Sequence, residues 1–257
     1  IASYKSAWLA RLLTKARARV DVVLTRSATE FVSAITFEAL TGRPAHTGLF
    51  DAGRALDHIR LAKAADAIVV APATADFLAR AATGQADDLL TAILLATNAP
   101  VLLVPAMNDH MWAHAQTQHN VDHLRGLGYR ILSPEEGELA AGEGEGPGRM
   151  PEPETIFAHV GRLLETGQGA LGGRRIVVTA GPTREAIDPV RFISNHSSGK
   201  MGVALASSAW RRGADVALVA GPMSVAPPPG PELTAVESTE EMARAVERLV
   251  PKADVLI

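Results

Sequence analysis

Short β-branched runs alternate with alanine- and leucine-rich stretches along the whole chain, and this alternation constrains the fold more than any other feature. The runs at 20–24, 67–71, 101–104 and 129–132 are apolar and four or five residues long. They are too short for helices and read as strands of a parallel sheet covered on both faces. Between them, residues 7–16, 55–65, 89–96 and 116–127 carry the composition of helices. A β-α-β order of this kind implies an α/β, doubly wound parallel sheet, with ligands bound at the carboxyl ends of its strands.

A second unit follows. A helix expected at 155–164 precedes Thr166-Gly-Gln-Gly-Ala-Leu-Gly-Gly173, a glycine-rich linker over 166–173. Then come a strand at 175–180, a helix from about 200 to 212 stopped by Gly213, and a strand at 215–220. A loop containing Pro227, Pro228, Pro229 and Pro231 leads to Ser238-Thr-Glu-Glu241, a capping box. The helix it opens places Met242, Ala245, Val246 and Leu249 on one face. The expected organisation is therefore a first domain over 1–165 and, over 174–257, the first part of a second, Rossmann-like α/β domain with partly bare sheet faces. The chain opens at Ile1 inside helix-like sequence and stops at Ile257 inside a strand-like run. Both ends read as cut from something longer.

Composition removes several classes of function. With 25 Lys and Arg against 28 Asp and Glu, and 4% aromatic residues, neither a nucleic-acid nor an anionic-membrane partner is expected. The chain contains no cysteine, which excludes disulfides, zinc-thiolate sites and a thiol nucleophile within it. The most apolar stretch, 92–107, is broken by Thr97, Asn98 and Pro100 and falls short of the roughly 20 residues a bilayer span needs. No signal-peptide pattern is present, so a cytoplasmic location is expected.

Two strand ends carry chemistry. Val69-Val-Ala-Pro-Ala-Thr-Ala-Asp76 and Val104-Pro-Ala-Met-Asn-Asp-His-Met-Trp112 both pass from apolar strand to proline and small residues. Small side chains there let a planar ligand reach the backbone amides, although each segment alone also fits a tight βα turn. Met107 and Trp112 fit ordinary core packing, whereas the Asn108 amide can donate to a carboxylate. His58 stands where a helix begins, with Asp57 able to cap it. A neutral imidazole at the positive end of a helix can act as a base, and a surface histidine without function fits the same position. The remaining histidines show no zinc-ligand pattern; His119 and His123 are four apart but lack a metalloprotease glutamate.

These residues resemble the homo-oligomeric flavin-containing cysteine decarboxylases, and within them the phosphopantothenoylcysteine decarboxylases of coenzyme A biosynthesis. The resemblance is carried by Ile1-Ala-Ser-Tyr-Lys5, His58-Ile-Arg-Leu, Pro72-Ala-Thr-Ala-Asp76, Gly84-Gln-Ala-Asp-Asp-Leu-Leu90 and Pro105-Ala-Met-Asn-Asp-His-Met-Trp112. It implies FMN near Ser3, Thr25, Ser27, Pro72, Ala73, Thr74, Asp87 and Met107, with His58 as the catalytic histidine. It also implies Asn108 on the substrate carboxylate, Arg149 as a further substrate contact, and trimeric flavin sites in an assembly as large as a dodecamer. In the family mechanism the cysteinyl thiol is oxidised by electron transfer to FMN, the thioaldehyde loses CO₂, and the enethiol is reduced back to the thiol. Two departures stand out. The family's glycine-rich turn before Ile1 is missing, and the flap Leu139-Ala-Ala-Gly-Glu-Gly-Glu-Gly-Pro-Gly-Arg-Met150 has Ala141 where most members carry a proton-donating cysteine.

In the second unit, Thr179-Ala-Gly-Pro-Thr-Arg184 and Ser194-Asn-His-Ser-Ser-Gly-Lys-Met-Gly202 place hydroxyls and a lysine at a helix start, as an anion site needs and as a capped helix start also allows. The spacing is not that of a Walker loop. The string from Ala180 to Gly202 resembles the phosphopantothenate–cysteine ligases, which in many bacteria are fused behind the decarboxylase. That resemblance implies CTP and Mg²⁺, with Asn195 tied to the acyl-cytidylate step and Arg191 as its substrate-binding neighbour. Gly181, Thr183, Ser197, Ser198 and Lys200 would line the nucleotide phosphates; the magnesium ligands are unassigned. The expected partners are small molecules: 4′-phosphopantothenate, cysteine and 4′-phosphopantothenoylcysteine. A flavin-binding regulator without catalysis, or a fusion whose decarboxylase half is impaired at Ala141, are the alternatives.

Overall fold

The computed structural model describes residues 2–49, 56–139, 142, 144–165 and 169–257. The chain folds as two compact units, Ile1–Val160 and Gly161–Ile257. Three residues of the expected linker, 166–168, lie outside the described residues.

The first unit runs α1 (Ser3–Lys15), α2 (Arg26–Thr29), α3 (Ala34–Thr41), α4 (Asp57–Ala64), β1 (Ile68–Ala73), α5 (Ala75–Ala82), α6 (Leu89–Ala96), β2 (Val101–Pro105), α7 (Asp109–Ala113), α8 (Ala115–Gly126) and β3 (Arg130–Ile131). It continues with β4 (Glu135–Glu138), β5 (Glu145–Arg149) and α9 (Pro153–Glu165). Strands β1, β2 and β3 form a parallel sheet in that order, with Ile68 opposite Val101 and Leu102 opposite Arg130. All five residues of β2 are buried, which is why its sequence is apolar without alternation. Phe77 and Leu78 from α5 and Val121 and Leu124 from α8 pack with Val70 and Leu103 in one cluster. Leu61 and Ala62 from α4 join Leu89 and Ile93 from α6 in another.

The run at 20–24 departs from the sequence expectation. Among the described residues it lies outside the sheet and makes a single parallel bridge, Val23 with His46. Two backbone bonds support it, Leu24 N–H to His46 O and His46 N–H to Val22 O, both 2.8 Å. Its partner segment contains Pro44, which has no amide hydrogen and cannot extend the ladder. A second departure is the antiparallel hairpin of β4 and β5. Its acidic and glycine-rich strands have no apolar period to reveal it. A methyl group on Gly148 would stand 2.2 Å from Met107 O, so only glycine lets β5 lie against the loop after β2.

The second unit runs β6 (Arg175–Ala180), β7 (Glu185–Ala186), β8 (Phe192–Ile193), α10 (Lys200–Arg211), β9 (Asp215–Ala220), β10 (Glu232–Ala235), α11 (Thr239–Leu249) and β11 (Val255–Leu256). Its main sheet is parallel throughout, in the order β10-β9-β6-β11. Helix α11 buries Ala245 against Val177, Ala217 and Val219, while Val255 and Leu256 on the edge strand remain exposed. The Ser238 box forms: Ser238 Oγ accepts from Glu241 N–H at 3.2 Å, and Glu241 Oε2 accepts from Ser238 N–H at 3.3 Å. Gly213, at φ +98°, follows the last turn of α10 as the sequence implies. Strand β10 follows directly on the proline-rich loop, whose prolines hide it from a reading by pattern.

Candidate functional site

In the first unit the site is assembled from loops at strand ends. Thr74 caps α5 by accepting from Phe77 N–H at 3.2 Å. The loops after β1 and β2 are joined by Ala106 N–H to Ala73 O, 3.2 Å, and the second is joined to β5 by Met107 N–H to Gly148 O, 3.1 Å. Ser6 Oγ donates to Ala71 O at 2.6 Å, tying α1, and with it buried Ser3, to the end of β1. Pro72, Ala73, Thr74, Met107, Asn108 and Arg149 thus come together on one hydrogen-bonded framework. Met107 also packs on the core, as does Trp112.

Asn108 caps α7 through Oδ1, which accepts from His110 N–H at 2.9 Å. Its amide nitrogen makes no hydrogen bond among the described residues and keeps both hydrogens for donation. Arg149 pairs through Nη2 with Glu152 Oε1. The same oxygen accepts from Lys5 Nζ at 3.1 Å, and that lysine also donates to Met150 O at 2.6 Å. Lys5 is buried, and burial of an ammonium is tolerated only with such partners.

His58 occupies the first turn of α4, where the sequence places it, and its Nδ1 is buried without a hydrogen-bond partner among the described residues. Asp57 does not cap the helix, contrary to the sequence expectation. It is itself the first helical residue, so its carboxylate reaches forward instead. Oδ1 accepts from Arg60 Nε at 3.0 Å, and Oδ2 lies 3.0 Å from His46 Nδ1. The Arg60 hydrogen bond holds the Asp57 carboxyl below the usual aspartate range against the opposing effect of burial. His46 was not visible from the sequence, because it stands in a loop without periodicity.

Thr25 caps α2 by accepting from Ala28 N–H at 3.2 Å, and Ser27 is exposed on that short helix. No hydrogen bond among the described residues links Thr25, Ser27 or His58 to the loops after β1 and β2. A cavity of about 230 Å³ lined by Asp21, Arg43, Pro44, His46, Asp57 and Arg60 contains none of the expected flavin contacts. Asp87 is exposed beside α6 and pairs with Arg80, a residue the sequence reading did not single out. Ala141, the expected break with the decarboxylase flap, lies outside the described residues. No group of three or more metal-ligating side chains occurs among the described residues.

In the second unit Gly181 and Gly199 both have positive φ, +80° and +79°. Gly199, not a serine, is the N-cap of α10 and has no side chain to cap it. Ser198 Oγ accepts from Lys200 N–H at 3.5 Å, and Asn195 Oδ1 accepts from Ser197 N–H at 2.9 Å. Thr183 Oγ1 lies 3.0 Å from Thr239 Oγ1. Asp188 accepts from the amides of Val190 and Arg191 at 2.9 and 2.7 Å and from Arg191 Nε at 2.7 Å, which lowers its pKa. Arg191, Asn195, Ser197 and Lys200 are exposed. The Met223 side chain rests on both glycines, since a methyl group would stand 2.7 Å from its Cγ at Gly181 and 2.5 Å from its Sδ at Gly199. A neighbouring cavity of about 420 Å³ is lined by Arg184, Gly221, Pro222, Val236, Glu237 and Glu241, among others.

Two family models match the chain. Residues 1–165 match the family model described as Flavoprotein, and residues 171–257 match the model described as DNA/pantothenate metabolism flavoprotein C-terminal domain. The coenzyme A biosynthesis bifunctional protein CoaBC of Mycobacterium tuberculosis is 50% identical over 261 residues, covering 100% of this chain and 62% of its own length. The protein of that name from Haemophilus influenzae is 49% identical over 247 residues, covering 95% and 61%. The chain therefore spans about three fifths of the length of these relatives. Among solved structures, a cysteine-to-serine mutant of PPC decarboxylase complexed with pantothenoylaminoethenethiol is 30% identical with a TM-score of 0.55, covering 62% of this chain and 90% of its own. The FMN-dependent cysteine decarboxylase SpaF is 33% identical with a TM-score of 0.52, covering 61% and 87%.

Proposed function

The chain belongs to the Flavoprotein family, and on that premise we propose that its first unit is an FMN-dependent decarboxylase of coenzyme A biosynthesis acting on 4′-phosphopantothenoylcysteine. The observation that carries this reading is His58. Its Nδ1 is buried in the first turn of α4 without a hydrogen-bond partner among the described residues, an arrangement that costs free energy unless a partner completes it. The residues present fit a flavin: the strand ends at Pro72 and Ala106 carry small side chains that leave room for a planar ligand, and Thr74 and Asp87 stand at the starts of α5 and α6. FMN would be held by Ser3, Thr25, Ser27, Pro72, Ala73, Thr74, Asp87 and Met107, and supplies an acceptor for the electrons of the substrate thiol.

The chain's own residues do the rest. The Asn108 amide donates to the substrate carboxylate and orients it for departure. Arg149 meets a second anionic part of the substrate, exchanging its Glu152 partner for it. His58 takes a proton at Nδ1. Tyr4 on α1, Phe31 just after α2 and Ile35 on α3 expose large apolar surface; α1 carries Ser3, and α2 with its cap carries Ser27 and Thr25. Such surface supports a flavin site completed by a second copy of the chain, as in a trimer.

The second unit is read as the front part of a CTP- and Mg²⁺-dependent phosphopantothenate–cysteine ligase. The glycine-capped start of α10 would present amides, Ser197, Ser198 and Lys200 to nucleotide phosphates, the long Lys200 N–H bond to Ser198 Oγ giving way, with Gly181 and Thr183 opposite and Asn195 and Arg191 beside the reacting acyl group.

The test is direct. Purified full-length protein should be yellow and should release CO₂ from 4′-phosphopantothenoylcysteine. Bound FMN without CO₂ would favour the regulatory reading instead, and a colourless protein that takes up no FMN would overturn both.

A further inference from the structure

We propose that Arg80 is the positioning residue of the flavin site, holding Asp87 and the start of α6 at a fixed distance from the Thr74 turn. This rests on the flavin reading of the first unit. Arg80 lies in the second turn of α5, and its side chain is only 18% exposed. Its guanidinium serves three carboxylates at once. Nε donates to Asp76 Oδ2 at 3.1 Å, and Nη1 donates to Asp87 Oδ1 at 3.0 Å and to Asp88 Oδ2 at 2.8 Å.

The neighbours make these bonds decisive for geometry. Helix α5 packs mainly on α8, and α6 packs mainly on α4; Leu90 and Leu94 of α6 share one apolar cluster with Phe77 and Leu78 of α5, and the Arg80 bonds are the polar ties between the two helix starts. Asp88 is in turn the cap of α6: Oδ1 accepts from Thr91 N–H at 2.8 Å, and Thr91 Oγ1 accepts from Asp88 N–H at 3.3 Å. Arg80 therefore connects two helix N-termini, one carrying Thr74 and the other carrying Asp87. It uses Oδ1 of Asp87 and leaves Oδ2 to accept from a ligand hydroxyl. It also offsets two adjacent negative charges at 87 and 88, which would otherwise repel each other and the phosphate of an approaching flavin mononucleotide. The Thr91 amide and, after it, the Arg80 guanidinium hold the Asp88 carboxyl below its usual range despite burial. A lysine could keep the charge but could not span three carboxylates, because it lacks the planar fork.

Binding of FMN to flavin-stripped full-length protein, followed by quenching of flavin fluorescence, tests this. Arg80→Lys is expected to raise the Kd for FMN at least about tenfold and to alter the visible circular dichroism of the bound flavin at saturation. Asp76→Asn, which removes the solvent-side arm alone, should leave both within about twofold. A change confined to stability would lower the melting temperature yet leave the spectrum of the bound flavin untouched, and that result counts against positioning. Arg80→Met is expected to exceed Arg80→Lys; where Met fails to fold, the lysine variant decides. Wild-type Kd and spectrum in Arg80→Lys would overturn the proposal while leaving the flavin reading intact. Failure of the wild-type protein to take up FMN would remove both.

Discussion

The two units place their candidate sites on the same kind of scaffold, the carboxyl ends of parallel strands, but hold them differently. In the first unit, ion pairs cross between segments distant in the chain or in different elements: Arg80 with Asp87 and Asp88, Asp57 with His46, Lys5 with Glu152. In the second, the residues around 188–197 bond mainly to their own neighbours, as Asp188 does to the amides of Val190 and Arg191 and Asn195 to that of Ser197. The second site has cross-element ties as well, through Thr183 and Glu185 to Thr239, but they are hydroxyl hydrogen bonds at exposed positions rather than ion pairs.

This contrast can be broken or sharpened by experiment. The largest expected effect is at His58: His58→Asn should reduce CO₂ release by roughly 10²–10⁴-fold while FMN stays bound. Retained turnover would remove the central residue of the first site. Next, Leu103→Ala, in a strand buried throughout, should cost about 2–5 kcal/mol in urea unfolding, through lost transfer energy and the cavity left behind. Smaller is the loss of a cap. Asp88→Ala is expected to destabilise by about 1–2 kcal/mol and Ser238→Ala by about 1 kcal/mol. Hydrogen exchange should report the first in α6 and the second in α11; a loss spread evenly over both units would contradict independent folding of the two caps.

Acid provides a further comparison. Asp57 and Asp88 are held below the ordinary carboxylate range in the folded state, chiefly by hydrogen bonds that outweigh desolvation. Their contribution is therefore present above the unfolded pKa of about 3.9 and is lost as pH falls through the lower folded values. The lowered carboxyls of the second unit, Glu185, Asp188, Glu241 and Asp254, are solvent-facing and screened. Urea unfolding followed separately in each unit should show the first weakening more between about pH 4 and pH 3. The smallest expected change is Asp188→Asn, within about 0.5 kcal/mol in the same assay.

Much of this architecture was legible in the residues because it is local. Period and length identified β1, β2 and β6, and the box at Ser238 and the glycine after α10 marked helix ends through bonds spanning a few residues. The string from Pro105 to Trp112 pointed to a strand-end loop for the same reason. What could not be read shares one property. Arg80 meets Asp87 and Asp88, His46 meets Asp57, and Lys5 meets Met150, each across elements or loops, and no spacing rule marks such partners. The Asp57 cap went wrong because a carboxylate one position inside the helix finds better partners sideways than at the helix start. The hairpin of β4 and β5 escaped because glutamate and glycine carry no apolar alternation.

Residues close in the chain were enough to specify an α/β alternation, the Ser238 box, the glycine stop of α10 and the family of the first 165 residues, since period, local capping and motif are written in neighbouring residues. Only the tertiary structure decided which charges meet. Coulomb energy depends on distance in space, and folding alone sets the distance between Lys5 and Glu152 or between Arg80 and the start of α6.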